Sequence, residues 1–196
     1  SPQQFVVLLT VNPANQSITF PNPGDRLVNA TATLSATASS GLPVAYSVVS
    51  GPATLSSNVV SFTGVGSVTI QASQAGNANY NAATPSNVTF QVRAAPAIVP
   101  PATVNFLATY AGTSPAPQVA AIGNPGWAAC SWSNSFVYGG AASGWLAVTP
   151  SFGDVPALGV SNVTLSVSIA GLNAGVHYAT NTIASAAATN SPQSFV

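Results

Sequence analysis

Residues that could carry out acid–base, nucleophilic or metal chemistry are scarce in this chain of 196 residues. Such residues are Asp25, Arg26, Arg93, Asp154, Cys130 and His177. Catalysis by paired carboxylates needs two acids side by side, and the two aspartates lie far apart in sequence. A zinc site needs several Cys or His ligands, and this chain has one of each. A serine hydrolase of the Ser-His-Asp type needs a nucleophilic serine, and no serine here lies in the G-x-S-x-G turn that often presents one. We therefore expect no enzyme, no metal site and no cofactor.

Each of these residues has a structural reading beside a functional one. Asp25-Arg26 is read as a turn followed by a strand entry, with a calcium site as the alternative. His177 is read as an exposed or hydrogen-bonded strand residue, with a pH switch as the alternative. Cys130 is read as a small buried residue, with an intermolecular disulfide as the alternative.

The composition excludes several classes of protein. Charged residues make up 2% of the chain, against roughly 25% in typical soluble domains. Two arginines cannot provide a nucleic-acid footprint, and no apolar run reaches the ~18 residues that span a bilayer. A net charge of zero favours self-association over colloidal repulsion. These properties predict an extracellular or cell-surface protein whose partners include copies of itself.

Short strands separated by turn residues dominate the pattern. Glycine, proline, serine and asparagine recur every ~8–12 residues, which is typical of β-sandwiches. In Val163–Ile169 apolar and hydroxyl side chains alternate, as in half-buried antiparallel strands. Strands are predicted near Phe5–Val11, Ser17–Phe20, Thr31–Ala38, Val44–Ser50, Val59–Thr63, Ser67–Ala72, Val88–Val92, Thr103–Tyr110, Gln118–Ile122, Ala128–Ser133, Trp145–Val148, Val163–Ile169, Val176–Ala184 and Ser194–Val196. The fold class is therefore all-β, with two antiparallel β-sandwich domains in tandem.

Two stretches resemble known bacterial families. Gln16–Phe20, Leu34–Val44, Tyr46–Ala53 and Thr69–Tyr80 resemble a bacterial immunoglobulin-like repeat of large surface proteins. That resemblance implies a seven-stranded sandwich that serves as a stalk or spacer.

The second stretch is similar to the BACON domain, another bacterial β-sandwich. It is similar in Thr103–Phe106, around Trp132, in Gly144–Pro150 and in Leu172–Tyr178. The resemblance implies a final strand that ends in a Leu-Thr-Val-like run and suggests contact with carbohydrate or mucin. Leu9-Thr10-Val11, at the other end of the chain, has the form of that final strand.

An internal repeat links the two ends of the chain. Residues 1–6 read Ser-Pro-Gln-Gln-Phe-Val and residues 191–196 read Ser-Pro-Gln-Ser-Phe-Val, so five of six positions match at an offset of 190. One reading is chance in a chain of low complexity. The other is that 190 residues is the period of a longer array, with repeats in one chain or in separate subunits.

The opening segment is apolar on both faces. Phe5, Val7, Leu9 and Val11 share one face, and Val6 and Leu8 lie on the other. A strand of this kind must be buried on both sides, and an open sheet edge needs a partner. We predict that Ser1–Val11 fills the last-strand position of the second, BACON-like sandwich of a preceding unit.

The predicted domain organisation follows from these patterns. Residues 1–12 are an N-terminal strand belonging to the preceding unit's BACON-like sandwich, and residues 13–94 are an immunoglobulin-like sandwich. Residues 95–101 are a proline-rich linker. Residues 102–196 are a BACON-like sandwich that lacks its last strand.

Two functions are compatible with these features. The first is a structural repeat unit of an extracellular filament, stalk or giant surface fibre, assembled end to end by β-strand complementation. The second is a carbohydrate-binding or adhesive module, in which Trp127 is the candidate for glycan contact and core or subunit packing is its structural reading. Candidate glycosylation sites in Asn-x-Ser/Thr sequences are Asn15, Asn29, Asn87 and Asn162.

Overall fold

The structure is a computed structural model that describes residues 2–196. The described residues contain strands, turns and irregular segments and no helix, which confirms the all-β fold class. The chain divides into two compact units. The first unit ends at Arg93, and the second unit is Ala94–Val196.

The first unit is a sandwich of short strands. Its strands are β1 Ile18–Thr19, β2 Arg26–Leu27, β3 Thr31–Thr33, β4 Thr37–Ala38, β5 Ala45–Ser50, β6 Ala53–Ser56, β7 Val59–Phe62, β8 Gly66–Ser73 and β9 Ser86–Arg93. One sheet has the order β2-β9-β8-β5, the other has the order β3-β7-β6, and β1 pairs with β4. Alternation decides which side chains enter the core: in β8, Val68, Ile70 and Ala72 are buried and their neighbours are not.

The core of the first unit joins its two larger sheets. Val60 and Phe62 of β7 pack in one cluster with Ile70 of β8 and Phe90 of β9. The rings of Phe62 and Phe90 meet edge to face, with centroids 5.6 Å apart. This is the aromatic geometry that complements the charge distribution of the two rings.

The second unit is built in the same way from longer strands. Its strands are β10 Gln118–Asn124, β11 Cys130–Gly139, β12 Leu146–Thr149, β13 Phe152–Val155, β14 Gly159–Val167, β15 Tyr178–Ala184 and β16 Gln193–Phe195. One sheet has the order β10-β14-β12 and the other β13-β11-β15-β16. Trp132, Ile183 and Val155 from the second sheet pack with Ile122 and Leu165 from the first. The orders β10-β14-β12 and β11-β15-β16 correspond to the B-E-D and C-F-G orders of an immunoglobulin-like sandwich, and β13 is an additional edge strand beside β11.

Residues 95–101 are a correction to the predicted organisation, because they pack on the second unit and do not form a separate linker. Ile98 is 1% exposed and lies in the core of that unit. Val99 exchanges two backbone hydrogen bonds with Gly123. Burying the Ile98 side chain stabilises this packing, whereas an exposed linker would leave that side chain in water.

Two strands, β6 and β13, were not predicted from the sequence. β13 contains Gly153 and Asp154, and both residue types are poor strand formers. β2 begins at Arg26, where the sequence predicts a strand entry. The predicted strand Thr31–Ala38 is two strands, β3 and β4.

Two predicted strands, Phe5–Val11 and Thr103–Tyr110, are not strands in this structure. A β-strand needs a hydrogen-bonded neighbour. None of residues 5–11 or 103–110 has a ladder partner among residues 2–196.

Candidate functional site

The last strand of the second unit covers only part of its neighbour. β11 pairs with all seven residues of β15, from Tyr178 to Ala184. On the other edge, β16 pairs only with Asn181, Thr182 and Ile183. Within the described part of the chain, residues 178–180 therefore have no strand partner on that edge, which leaves backbone groups available to a further strand.

In the first unit, the position of the last strand is fully occupied. Its last strand, β9, pairs antiparallel with β8 from Ser86 to Val92. On the opposite edge β9 pairs parallel with β2, where Arg26 lies opposite Val92. A full-length last strand thus has one neighbour on each side.

Asp25, which directly precedes β2, forms hydrogen bonds with residues of β9. Its carboxylate accepts a hydrogen bond from the backbone N–H of Gln91 at 2.9 Å and from Arg93 Nη2 at 2.8 Å. These two donors hold the pKa of Asp25 below its ordinary value. The structure therefore gives Asp25 a structural partner within the first unit, in keeping with its reading as a turn before a strand.

In the second unit, residues 103–110 take the place beside the last strand that β2 takes in the first unit, but they do not form a strand. One backbone hydrogen bond links it to the end of β16, from the N–H of Val104 to the carbonyl of Val196 at 3.2 Å. Beyond that bond, the stretch and β15 line the same groove. The predicted strand Thr103–Tyr110 thus lies next to a strand position that no described residue fills.

The groove has a volume of about 540 Å³ and mainly apolar walls. One wall comes from the stretch 103–111 and another from the end of β14 and the residues that precede β15. Apolar side chains that line it are Phe106, Leu165, Val167, Ile169, Ala179 and Phe195. The groove is thus the edge of the hydrophobic core, open where a last strand would close it.

Asn181 adds an unsatisfied polar atom to the groove. Its side chain is 2% exposed, and its Oδ1 has no hydrogen-bond partner among residues 2–196. A buried acceptor without a partner costs about 1–3 kcal/mol. Sequence reasoning missed this residue, although Ala179-Thr180-Asn181-Thr182-Ile183 places the asparagine among the inward positions of an alternating strand.

The predicted inter-unit segment is exposed in the single chain. The exposed fraction of its apolar side chains ranges from 79% to 94%, and they are Phe5, Val6, Val7, Leu8, Leu9 and Val11. An exposed run of this kind is characteristic of an interaction site. These side chains therefore find no burial in a single copy of the chain.

The three tryptophans have different environments. Trp132 is buried in the core at 3% exposure, and Trp145 packs against that core with its ring 5.5 Å from the ring of Tyr138. Trp127 is 46% exposed, and its backbone N–H donates to the carbonyl of Ala94. Trp127 is thus the most exposed of the three tryptophans.

Cys130 and His177 were the other candidate functional residues. Cys130 is buried at 3% exposure. His177 precedes β15 and does not lie in it, and its Nε2 donates to the carbonyl of Asn173 at 2.9 Å. Nowhere in residues 2–196 do three or more His, Cys, Asp or Glu side chains form a group that could hold a metal ion.

The four candidate glycosylation sites, Asn15, Asn29, Asn87 and Asn162, are all exposed.

Among the described residues there is no helix long and apolar enough to cross a membrane.

Comparison with known proteins gives likenesses in structure only. No protein-family model matches the chain, and no curated protein matches it. The D00-D0 domain of intimin is 12% identical, with a TM-score of 0.41, and the match covers 92% of this chain and 96% of that one. The D0-D1 domain of intimin is 13% identical, with a TM-score of 0.32 and coverage of 92% and 95%.

A third solved structure, Escherichia coli alpha-2-macroglobulin activated by porcine elastase, is 11% identical, with a TM-score of 0.32 and coverage of 94% of this chain and 22% of that one. We base no functional argument on likenesses of this extent. The strand orders described above define the chain as two immunoglobulin-like β-sandwich units in tandem.

Proposed function

We propose that this chain is a structural repeat unit of an extracellular filament, stalk or surface fibre, assembled end to end by β-strand complementation. The observation that carries the proposal is the groove beside residues 178–180 of β15, which has the form of an empty strand position. The occupant is the exposed segment Phe5–Val11 of the next unit, whether that unit is a separate subunit or the next repeat of one chain.

The pairing has a definite register. Phe195 lies opposite Asn181, so continuing the antiparallel ladder places the next inward position opposite Ala179. The repeat between residues 1–6 and 191–196 equates Phe5 with Phe195. Val7 therefore lies opposite Ala179, and Leu8 lies opposite Tyr178.

Alternation then decides which donor side chains enter the groove. Ala179 and Asn181 face the core, whereas Tyr178 is exposed. Inward positions of the donor are thus Phe5, Val7, Leu9 and Val11, and outward positions are Val6, Leu8 and Thr10. The inward set is apolar, as the walls of the groove require.

The donor strand also supplies a neighbour for the stretch 103–110. In the first unit, β9 has an antiparallel neighbour on one edge and a parallel neighbour on the other. A donor strand between β15 and residues 103–110 has the same two neighbours in the second unit. Complementation of this kind gives affinity through main-chain hydrogen bonds and specificity through alternate side chains.

In this proposal, residues 1–12 belong to the BACON-like sandwich of the preceding unit. Residues 13–94 form an immunoglobulin-like spacer, and residues 95–196 form the acceptor sandwich. The low charge of the chain agrees with this proposal, because strand complementation rests on main-chain hydrogen bonds and apolar side chains and needs no ion pairs. An extracellular location on a cell surface is part of the same proposal.

The test is a double substitution in the donor segment, Val7→Asp with Leu9→Asp. We expect wild-type protein to form linear assemblies in electron micrographs and the variant to remain a folded monomer. The structure predicts that folding is unaffected, because both side chains are exposed in the single chain. Val6→Asp, at an outward position, is the matched control and should still assemble. Equal assembly of wild type and the double variant would refute the proposal.

A carbohydrate-binding or adhesive module is the second candidate function, and the partial exposure of Trp127 is the observation that favours it. Aromatic faces pack against sugar rings, and Trp127 is 46% exposed. A glycan array tests it directly. Dose-dependent binding that is lost in Trp127→Ala would support this function, and an array without signal would reject it.

A further inference from the structure

The four charged residues of the chain lie on edge strands of its two four-stranded sheets or directly beside them. β2 and β13 each form one edge of such a sheet. Arg26 begins β2, Asp25 directly precedes it, and Arg93 ends β9, which is the neighbour of β2. Asp154 lies in β13. Charged side chains on edge strands are one of the means by which proteins prevent edge-to-edge association.

The two edges differ in whether the charge has a partner. On the β2 edge, Asp25 and Arg93 form an ion pair at 2.8 Å. On the β13 edge, Asp154 is exposed and has no ion pair among residues 2–196. Pairing within the unit thus accounts for the carboxylate of Asp25, whereas the carboxylate of Asp154 needs another explanation.

The backbone of β13 has groups that no neighbouring strand uses. In the described part of the chain, β13 pairs only with β11. Next to that ladder, the N–H of Asn134 donates to the carbonyl of Ser151 at 2.7 Å. Hydrogen-bonded and non-hydrogen-bonded pairs alternate along an antiparallel ladder. Phe152 and Asp154 therefore belong to non-hydrogen-bonded pairs, and their backbone N–H and C=O groups point away from β11.

The same two residues place their side chains on one face of the sheet, because they are two positions apart. Phe152 is 72% exposed. Opposite Phe152 and Asp154 on β11 are two serines, Ser133 and Ser131, which are too small to cover a phenyl ring. An exposed phenylalanine beside unpaired backbone groups favours the addition of another strand. A charge two residues away opposes that addition.

We propose that the edge of β13 is a latent pairing surface between two copies of the chain, and that Asp154 prevents this pairing. Two β13 strands that pair antiparallel through their free backbone groups place Phe152 of one copy opposite Asp154 of the other. Each carboxylate would then leave water against an aromatic ring, and β13 contains no Lys or Arg to compensate its charge. The pairing is independent of the proposed function, because β13 and β16 are on opposite edges of their sheet.

The substitution Asp154→Thr is the test, because threonine opposite Phe152 makes an aromatic–β-branched pair, which is favourable across strands. The parent is the full chain with Val7→Asp and Leu9→Asp, so that the proposed donor segment does not contribute. In sedimentation velocity we expect the parent to be monomeric and Asp154→Thr to dimerise, with an association constant higher by about tenfold or more. Asp154→Asn removes the charge with little change of shape and should also dimerise. Asp154→Glu keeps the charge and is the matched control, which should stay monomeric.

A further substitution, Asp154→Pro, locates the contact. It removes the charge together with the free N–H, which the ladder with β11 does not use, so it should fold and remain monomeric. Thermal melts near that of the parent check the folding of each variant. Asp154→Thr and Asp154→Asn that stay as monomeric as the parent would overturn the proposal, and so would an Asp154→Pro variant that dimerises as strongly as Asp154→Thr. Either result stands whether or not wild-type protein forms filaments.

Discussion

The register of the donor strand predicts that two neighbouring leucines contribute very differently to assembly. In the proposed register, Leu9 takes an inward position that faces the groove, and Leu8 takes an outward position opposite Tyr178, which is 53% exposed in the structure. Burying a leucine side chain is worth roughly 1.5–3 kcal/mol. Truncation to alanine leaves one methyl group, so we expect Leu9→Ala to cost about 2 kcal/mol. This corresponds to a dissociation constant about 30-fold higher, at about 1.4 kcal/mol for each factor of ten.

Leu8→Ala should cost much less because the side chain stays partly in water. A cross-strand contact with Tyr178 is worth roughly 0.2–1 kcal/mol, so the increase should be under about fivefold. Sedimentation velocity over a series of concentrations gives both constants. Both side chains are more than 80% exposed in the single chain, so thermal unfolding of the monomers should be unchanged. An effect of Leu8→Ala as large as that of Leu9→Ala would refute the register.

Three further predictions concern charge, acid and packing. Assembly should be unaffected between low salt and ~1 M NaCl, since there is almost no ion pairing to screen, whereas urea should dissociate it; light scattering measures both. Folding lowers the pKa of Asp25 from its ordinary value of 3.8, so the stability that its carboxylate gives the first unit is fully present above that pH and is lost as the pH falls through the lowered pKa; Asp25→Asn should remove this acid-induced loss in thermal melts. Gly126→Ala should destabilise the second unit because its Cβ would lie 2.4 Å from the carbonyl oxygen of Ala95. Gly153→Ala, with contacts of 3.4 Å or more to Trp132, is the control and should melt near wild type.

The strands with clear alternation could be predicted from the sequence alone. Val163–Ile169 and Ser67–Ala72 coincide with most of β14 and β8, because period-two patterning records which face is buried. β13 was not predicted, since Gly153 and Asp154 have poor strand propensity and pair there only because β11 is adjacent. Tertiary contact outweighs local propensity at such positions.

The candidate site was only partly visible in the sequence. The apolar run Phe5–Val11 and the repeat at residues 191–196 could be read directly. The sequence also predicts that the second sandwich lacks its last strand and has an open edge there. It could not give the residues of β15 that lie on this edge or the orphaned oxygen of Asn181, because these depend on which strands become neighbours. The burial of Ile98 was hidden for the same reason, as the prolines around it favour an extended connector in isolation.

In the proposed function, the form of the assembly follows from the difference between the two sandwiches. In the first unit the last strand is complete and flanked on both edges, and Asp25 holds its end through Gln91 and Arg93. In the second unit the equivalent position is not filled by any described residue, and the segment Phe5–Val11 presents an exposed apolar face that matches it. In the proposed function, one donor segment and one acceptor edge in each copy form a heterologous contact, which propagates unless the geometry closes a ring. A chain with two open sandwiches would branch, and a chain with two complete ones would not assemble by this route. One complete and one open sandwich in each copy therefore favours a linear polymer.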